Sequence, residues 1–143
     1  MKSLELTKTL KATPDRVSRA WTSAEELHAW HCPAGYEVGL AECDPREGGS
    51  YRVSMIAPDG SVHIVGGIYL EFTKPSQLRM TWAWEVGGDP AHGSVLTIKL
   101  TDNPSGGTDL LLTHDDLETE ESLQNHIGGW TGALNNLADF VSQ

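Results

Sequence analysis

The chain is short of cysteine, of cations and of long apolar runs, and each shortage removes a class of protein. Its two cysteines, Cys32 and Cys43, make no disulfide framework. Ten Lys and Arg stand against twenty Asp and Glu, a net charge of −10. Phosphate-backbone binding needs clustered cations, so no nucleic-acid partner is expected. A polybasic membrane contact is disfavoured for the same reason. No apolar run approaches the roughly 20 residues of a helical membrane span. The start, Met1 to Leu10, lacks the apolar core of a signal peptide, which makes a cytoplasmic protein the default expectation. No internal repeat or low-complexity tract occurs. The acidity itself reads first as solubility.

Catalytic signatures are also missing. No nucleophile elbow, paired-carboxylate pattern or Ser/His/Asp arrangement stands out. His28, His31, Cys32 and Cys43 are the one metal-like group, and their steps of three and one residues match no zinc framework. Gly48-Gly49 and Gly87-Gly88 are hairpin glycines without the strand-to-helix context of a phosphate loop. The carboxylate run from Asp115 to Glu121 reads as a solvated loop followed by charge at a helix N-terminus. Neither a metal nor a cofactor is expected.

What the chain does have is pattern. At 143 residues it has the size of one domain, 1–143, able to bury roughly two thirds of its unfolded surface. Leu123, Ile127, Trp130, Leu134, Leu137 and Val141 are spaced four, three, four, three, four: one stripe of a long C-terminal helix. Thr119 is its N-cap, with Glu120 and Glu121 in the first turn. Gly128, Gly129 and Gly132 interrupt that helix at about 1 kcal/mol each. Close approach of another backbone, or of a ligand beside Trp130, is the expected compensation.

Upstream, Leu4, Leu6 and Leu10 alternate with polar residues as a half-buried strand, and Lys8 falls on its apolar face, at a strand edge or a cavity mouth. Thr13-Pro14 starts a helix, and Ser23 with Glu26 forms a capping box for a second short one ending at Trp30. From Tyr36 to Asp116 the period is two, with turns at Asp44–Gly49, Pro58–Gly60, Lys74–Pro75, Gly87–Pro90 and Asn103–Gly107. Gly66-Gly67, inside one strand, mark a bulge, a bend or a close approach. The order is strand, two short helices, about six hairpin-connected antiparallel strands, then the long helix, which alone is large enough to cover the sheet.

These motifs resemble a known family. They include Thr13-Pro14-Asp15-Arg16-Val17 with Ala20-Trp21-Thr22, Leu27 and Trp30 before Pro33, and Arg46-Glu47-Gly48-Gly49-Ser50-Tyr51-Arg52. Pro58-Asp59-Gly60, Gly67 to Phe72, Leu78 to Trp84, Gly107 to Leu110, and His126 with Gly129-Trp130 and Leu134 complete the set. Together they are similar to proteins like the C-terminal domain of the heat-shock-protein-90 ATPase activator, in the START-like or SRPBCC superfamily. The resemblance implies an α+β helix-grip fold: seven antiparallel strands curved around the C-terminal helix, enclosing a cavity for an apolar ligand. Relatives often carry a double Trp where this chain reads Trp30-His31-Cys32-Pro33, which makes the cavity mouth more polar here.

By phase, Tyr51, Trp82, Trp84 and Trp130 face the concave side, either as packed core or as cavity lining. The candidate ligand-binding set adds Trp30 from the second helix and Met55, Gly66 and Ile68 from the central strands. Ile98, Leu112 and His114 from the last strands, and His126 and Leu134 from the helix, complete it. The preferred reading is a non-enzymatic module that binds a hydrophobic or amphipathic small molecule, with Lys8, His114 or His126 fixing its polar end. One alternative is an enzyme of the polyketide cyclase or hydratase kind, with His114 or His126 as acid or base beside Asp115, Asp116 and Glu118. Another is a chaperone-partner module.

Overall fold

A computed structural model describes residues 1–86 and 93–142, so the expected loop Gly87 to Pro90 lies outside the described residues. Each helix begins at the cap its sequence places. Thr13 Oγ1 accepts from the Arg16 N–H at 3.3 Å, and Pro14 opens α1 (Pro14–Thr22). Ser23 Oγ accepts from the Glu26 N–H at 3.4 Å and opens α2 (Ala24–Trp30). Thr119 Oγ1 accepts from the Ser122 N–H at 3.0 Å and opens α3 (Glu120–Val141). The capping box at Ser23 is only half made. The Glu26 carboxylate turns instead to the guanidinium groups of Arg16 and Arg19, on α1. Two charge-assisted bonds are stronger than one to a backbone N–H, and they tie the short helices together.

The seven strands are β1 (Lys2–Leu10), β2 (Glu37–Cys43), β3 (Ser50–Ile56), β4 (Val62–Thr73), β5 (Gln77–Val86), β6 (Ser94–Asp102) and β7 (Thr108–Leu117). They form one antiparallel sheet in the order β1-β7-β6-β5-β4-β3-β2. Thus β2 to β7 run as a meander, and β1 joins on the far side of β7. The short helices carry the chain from one edge of the sheet to the other.

Alternation sets the faces. Leu78, Met80 and Trp82 on β5, Leu96, Ile98 and Leu100 on β6, and Leu110, Leu112 and His114 on β7 are all buried. Trp130, Leu134, Leu137 and Val141 of α3 are buried with them. Burying each large apolar side chain contributes about 1.5–3 kcal/mol, so this seam between curved sheet and helix is the main source of stability. Trp21 and Trp30 close one end, packed edge-on with ring centroids 4.6 Å apart.

Two expectations change in the structure and a third is narrowed. The carboxylate run is not all loop: β7 continues through Asp115 and Asp116 because Leu117, 1% exposed, is anchored in the core. Gly66 and Gly67 mark a close approach. A Cβ on Gly66 would stand 2.8 Å from the Tyr51 carbonyl oxygen, and one on Gly67 would stand 2.0 Å from that of Thr81. Neighbouring strands press onto these glycines, and β4 shifts register on either side of them, between Ile64 and Val65 and between Tyr69 and Glu71. Finally, Lys8 reaches no cavity; its Nζ donates to Asn135 Oδ1 at 2.6 Å and links β1 to α3.

Candidate functional site

The segment after α2 packs onto α3. Asn136 Nδ2 donates to the Cys32 carbonyl at 3.0 Å. A Cβ on Gly132 would stand 2.5 Å from the Ala34 backbone nitrogen. Gly132 is therefore the helical glycine that lets another backbone approach. With residues 31–36 pinned to α3, a cavity of about 440 Å³ remains between this segment, the helix and the sheet. His31, Cys32, Pro33 and Tyr36 form one wall, and Met55, His63, Trp82 and Trp84 form the sheet wall. Asn125, His126, Gly129, Trp130 and Ala133 form the helix wall.

Two histidines organise the indoles. Trp82 and Trp84 both direct their Nε1–H groups at His126 Nε2, at 3.2 and 3.1 Å. His126 Nδ1 lies 2.7 Å from the Ser122 carbonyl oxygen, which can only accept, so Nδ1 carries the proton and the ring is neutral. Behind the wall, Trp130 Nε1–H donates to His114 Nδ1 at 3.1 Å. Ser94 Oγ donates to the Trp82 carbonyl at 2.8 Å and lies 3.0 Å from His114 Nε2, so Nε2 carries that ring's proton. Burial, with a smaller contribution from His126, pushes the His114 pKa down to about 3. The rings of Trp82 and Trp130 lie 4.9 Å apart. The site is an apolar hollow in which the N–H groups of Trp82, Trp84 and Trp130 are already paired with histidines.

Of the candidate residues read from sequence, Met55, Trp82, Trp84, His126 and Trp130 come together on the cavity wall. The others stand elsewhere. Trp30 is fully buried and donates its indole N–H to the Ala20 carbonyl at 2.9 Å. Tyr51 is buried with its hydroxyl on the Thr81 carbonyl. Gly66 lies against the Tyr51 backbone. Ile98, Leu112 and Leu134 are packed core, and Ile68 is 49% exposed. His114 is fully buried outside the lining and touches it through Trp130.

Sequence reasoning did not place His31, Cys32, Pro33, Tyr36, His63, Asn125, Gly129 or Ala133 in the candidate set. The pointers were Gly129, among the glycines beside Trp130, and the departure at 30–33 from the double Trp, which fell on the segment that forms a wall. His63 is near Ser61 and Asp59, but the proton order gives no nucleophile. Ser61 Oγ donates to Asp59 Oδ1 at 2.6 Å and stands 3.2 Å from His63 Nε2, so the serine proton is directed away from the imidazole. Cys32 Sγ donates to the Tyr36 carbonyl at 3.4 Å and Cys43 Sγ to that of Thr22 at 3.3 Å. Among the described residues no group of three or more His, Cys, Asp or Glu could hold a metal ion. Nor is any helix among them long and apolar enough to cross a membrane.

A family model for activator of Hsp90 ATPase homolog 1-like proteins matches residues 11–142. The chain belongs to this family. Solved structures agree with the match. A Chromobacterium violaceum protein is 28% identical with a TM-score of 0.89, over 100% of this chain and 99% of that one. The AHSA1 protein of Silicibacter pomeroyi is 22% identical with a TM-score of 0.84, over 99% and 98% of the two chains. A Nitrosomonas europaea protein is 24% identical with a TM-score of 0.82, over 99% and 94%. No curated protein matches the chain. Membership in the Hsp90-activator-like family, with the sheet order and the gripped helix, makes this a START-like helix-grip fold.

Proposed function

We propose that the protein binds a hydrophobic or amphipathic small molecule in the cavity between its curved sheet and α3, without chemical conversion. The observation that carries this reading is the hollow of about 440 Å³ walled by Trp82, Trp84, Trp130 and Met55. That size lies within the roughly 300–1,000 Å³ of small-molecule sites, which are mostly apolar and largely preformed. Three large indoles held in place by histidine acceptors give a rigid surface, so little side-chain entropy is lost when a flat ring settles against them.

The cyclase-like alternative, with His114 or His126 as the acid or base, has less support. A general base needs a free lone pair at the cavity surface. His126 offers Nε2 to two indole donors and its Nδ1–H to Ser122, and His114 does not line the cavity. The chaperone-partner alternative draws on the family's name, whereas the binding reading draws on residues of this chain.

Native mass spectrometry of the purified protein tests the proposal. A co-purified small molecule, released by organic solvent and lost from Trp130→Ala, is the expected result. A bare protein mass, together with no retention of apolar ring compounds added afterwards, contradicts it.

A further inference from the structure

His31 has a ring nitrogen for which the fold supplies no partner on another residue. It is 3% exposed and lines the cavity. Indole rings surround it: Trp30 at 5.0 Å, Trp130 at 5.6 Å, and Trp21 and Trp82 at 5.9 Å between centroids. Its Nδ1 is buried without a hydrogen-bond partner on another residue. The other buried side-chain nitrogen in this condition among the described residues is Trp21 Nε1, and Trp21 does not line the cavity. Buried polar groups are nearly always paired, and because His31 borders the cavity, an occupant there is what its ring can pair with.

The character of that occupant follows from two further facts. Among the described residues no Lys, Arg, Asp or Glu is part of the wall, so a charged group brought inside would lose its water and gain no counter-ion from them. Desolvation pushes the His31 pKa down to about 4, so the ring is neutral near pH 7 and presents one N–H and one lone pair. A hydroxyl, which can donate and accept, suits the ring in either tautomer.

We propose that His31 is the specificity-determining contact of the cavity, and that its ligand is an uncharged, largely apolar ring compound bearing a hydroxyl that pairs with the imidazole. This rests on the binding reading above and refines it.

Calorimetric titration with 2-naphthol, 2-methylnaphthalene and 2-naphthoate tests the idea, because the three share a ring system and differ in one group. In His31→Phe the affinity ratio of 2-naphthol to 2-methylnaphthalene falls about tenfold from its wild-type value, the loss of one buried hydrogen bond. In His31→Gln, which keeps a donor and an acceptor, the ratio falls less. The wild type binds 2-naphthoate more weakly than 2-naphthol. An unchanged ratio in His31→Phe, or 2-naphthoate binding as tightly as 2-naphthol, overturns the proposal and leaves the binding reading standing. Failure of all three to bind the wild type overturns both. A measurement on the wild type alone removes dependence on the variants' folding. The ring-nitrogen resonances of His31 move when 2-naphthol is added and move much less with 2-methylnaphthalene; equal shifts overturn the proposal.

Discussion

Trp130 donates its indole N–H to His114 Nδ1 at 3.1 Å, joining the middle of α3 to the end of β7. The bond is buried at both ends, so its loss exposes neither partner to water. His114→Leu leaves the Trp130 N–H unpaired and is expected to destabilise the fold by about 1–3 kcal/mol. Urea unfolding of the purified variant checks this. A midpoint equal to that of the wild type would mean the bond is immaterial.

Acid weakens this fold through its histidines. His31 and His114 have folded pKa values of about 4 and about 3, both below the ordinary 6.5. Between 6.5 and those values the unfolded chain binds protons that the folded one refuses. The contribution of these two histidines is therefore flat above pH 6.5 and falls as pH drops through the window, by about 1.4 kcal/mol per pH unit for each histidine fully inside it. Urea midpoints at pH 7.5, 6 and 5 give the slope, and His31→Phe reduces it. Stability that rises on acidification to pH 5 contradicts the assignment.

Two helical glycines predict opposite outcomes for the same substitution. A Cβ on Gly128 meets nothing within 4 Å, so Gly128→Ala stabilises by up to about 1 kcal/mol through helix propensity. A Cβ on Gly132 would stand 2.5 Å from the Ala34 nitrogen, so Gly132→Ala forces the wall segment off the helix and destabilises. Thermal melts of the two variants compare them directly. Equal shifts of the same sign would mean that the contact between Gly132 and Ala34 does not constrain the fold.

Breaking the hinge between the short helices is a milder change. Glu26→Gln removes the charge that Arg16 and Arg19 share, at a half-buried site, and is expected to cost about 1 kcal/mol. The loss shrinks in high salt, which urea unfolding at two ionic strengths measures.

Much of the fold is legible in the sequence because local physics sets it. The caps at Thr13, Ser23 and Thr119, the stripe from Leu123 to Val141, and the alternation from Leu78 to Trp84 each depend on neighbours a few residues away. The site is less legible because it depends on docking. His31, Cys32 and Pro33 lie on a segment with no period, and the contacts of Asn136 and Gly132, about a hundred residues further on, turn that segment into a wall. Glycine is ambiguous for a related reason. Gly67 admits the Thr81 carbonyl and Gly129 borders the hollow, yet the two look alike in sequence. His114 and His126 both have an inward phase, but only the bonds from the indoles show that one lines the cavity and the other supports it from behind.

The central claim is that a small apolar molecule occupies the space against Trp82, Trp84 and Trp130. Two-dimensional NMR of the five indole N–H groups during titration with 2-methylnaphthalene tests it most directly. The resonances of Trp82, Trp84 and Trp130 should shift together and saturate, while that of Trp30, bonded to the Ala20 carbonyl behind the wall, stays nearly still. Unmoved resonances throughout, or a Trp30 shift as large as that of Trp82, would contradict the account.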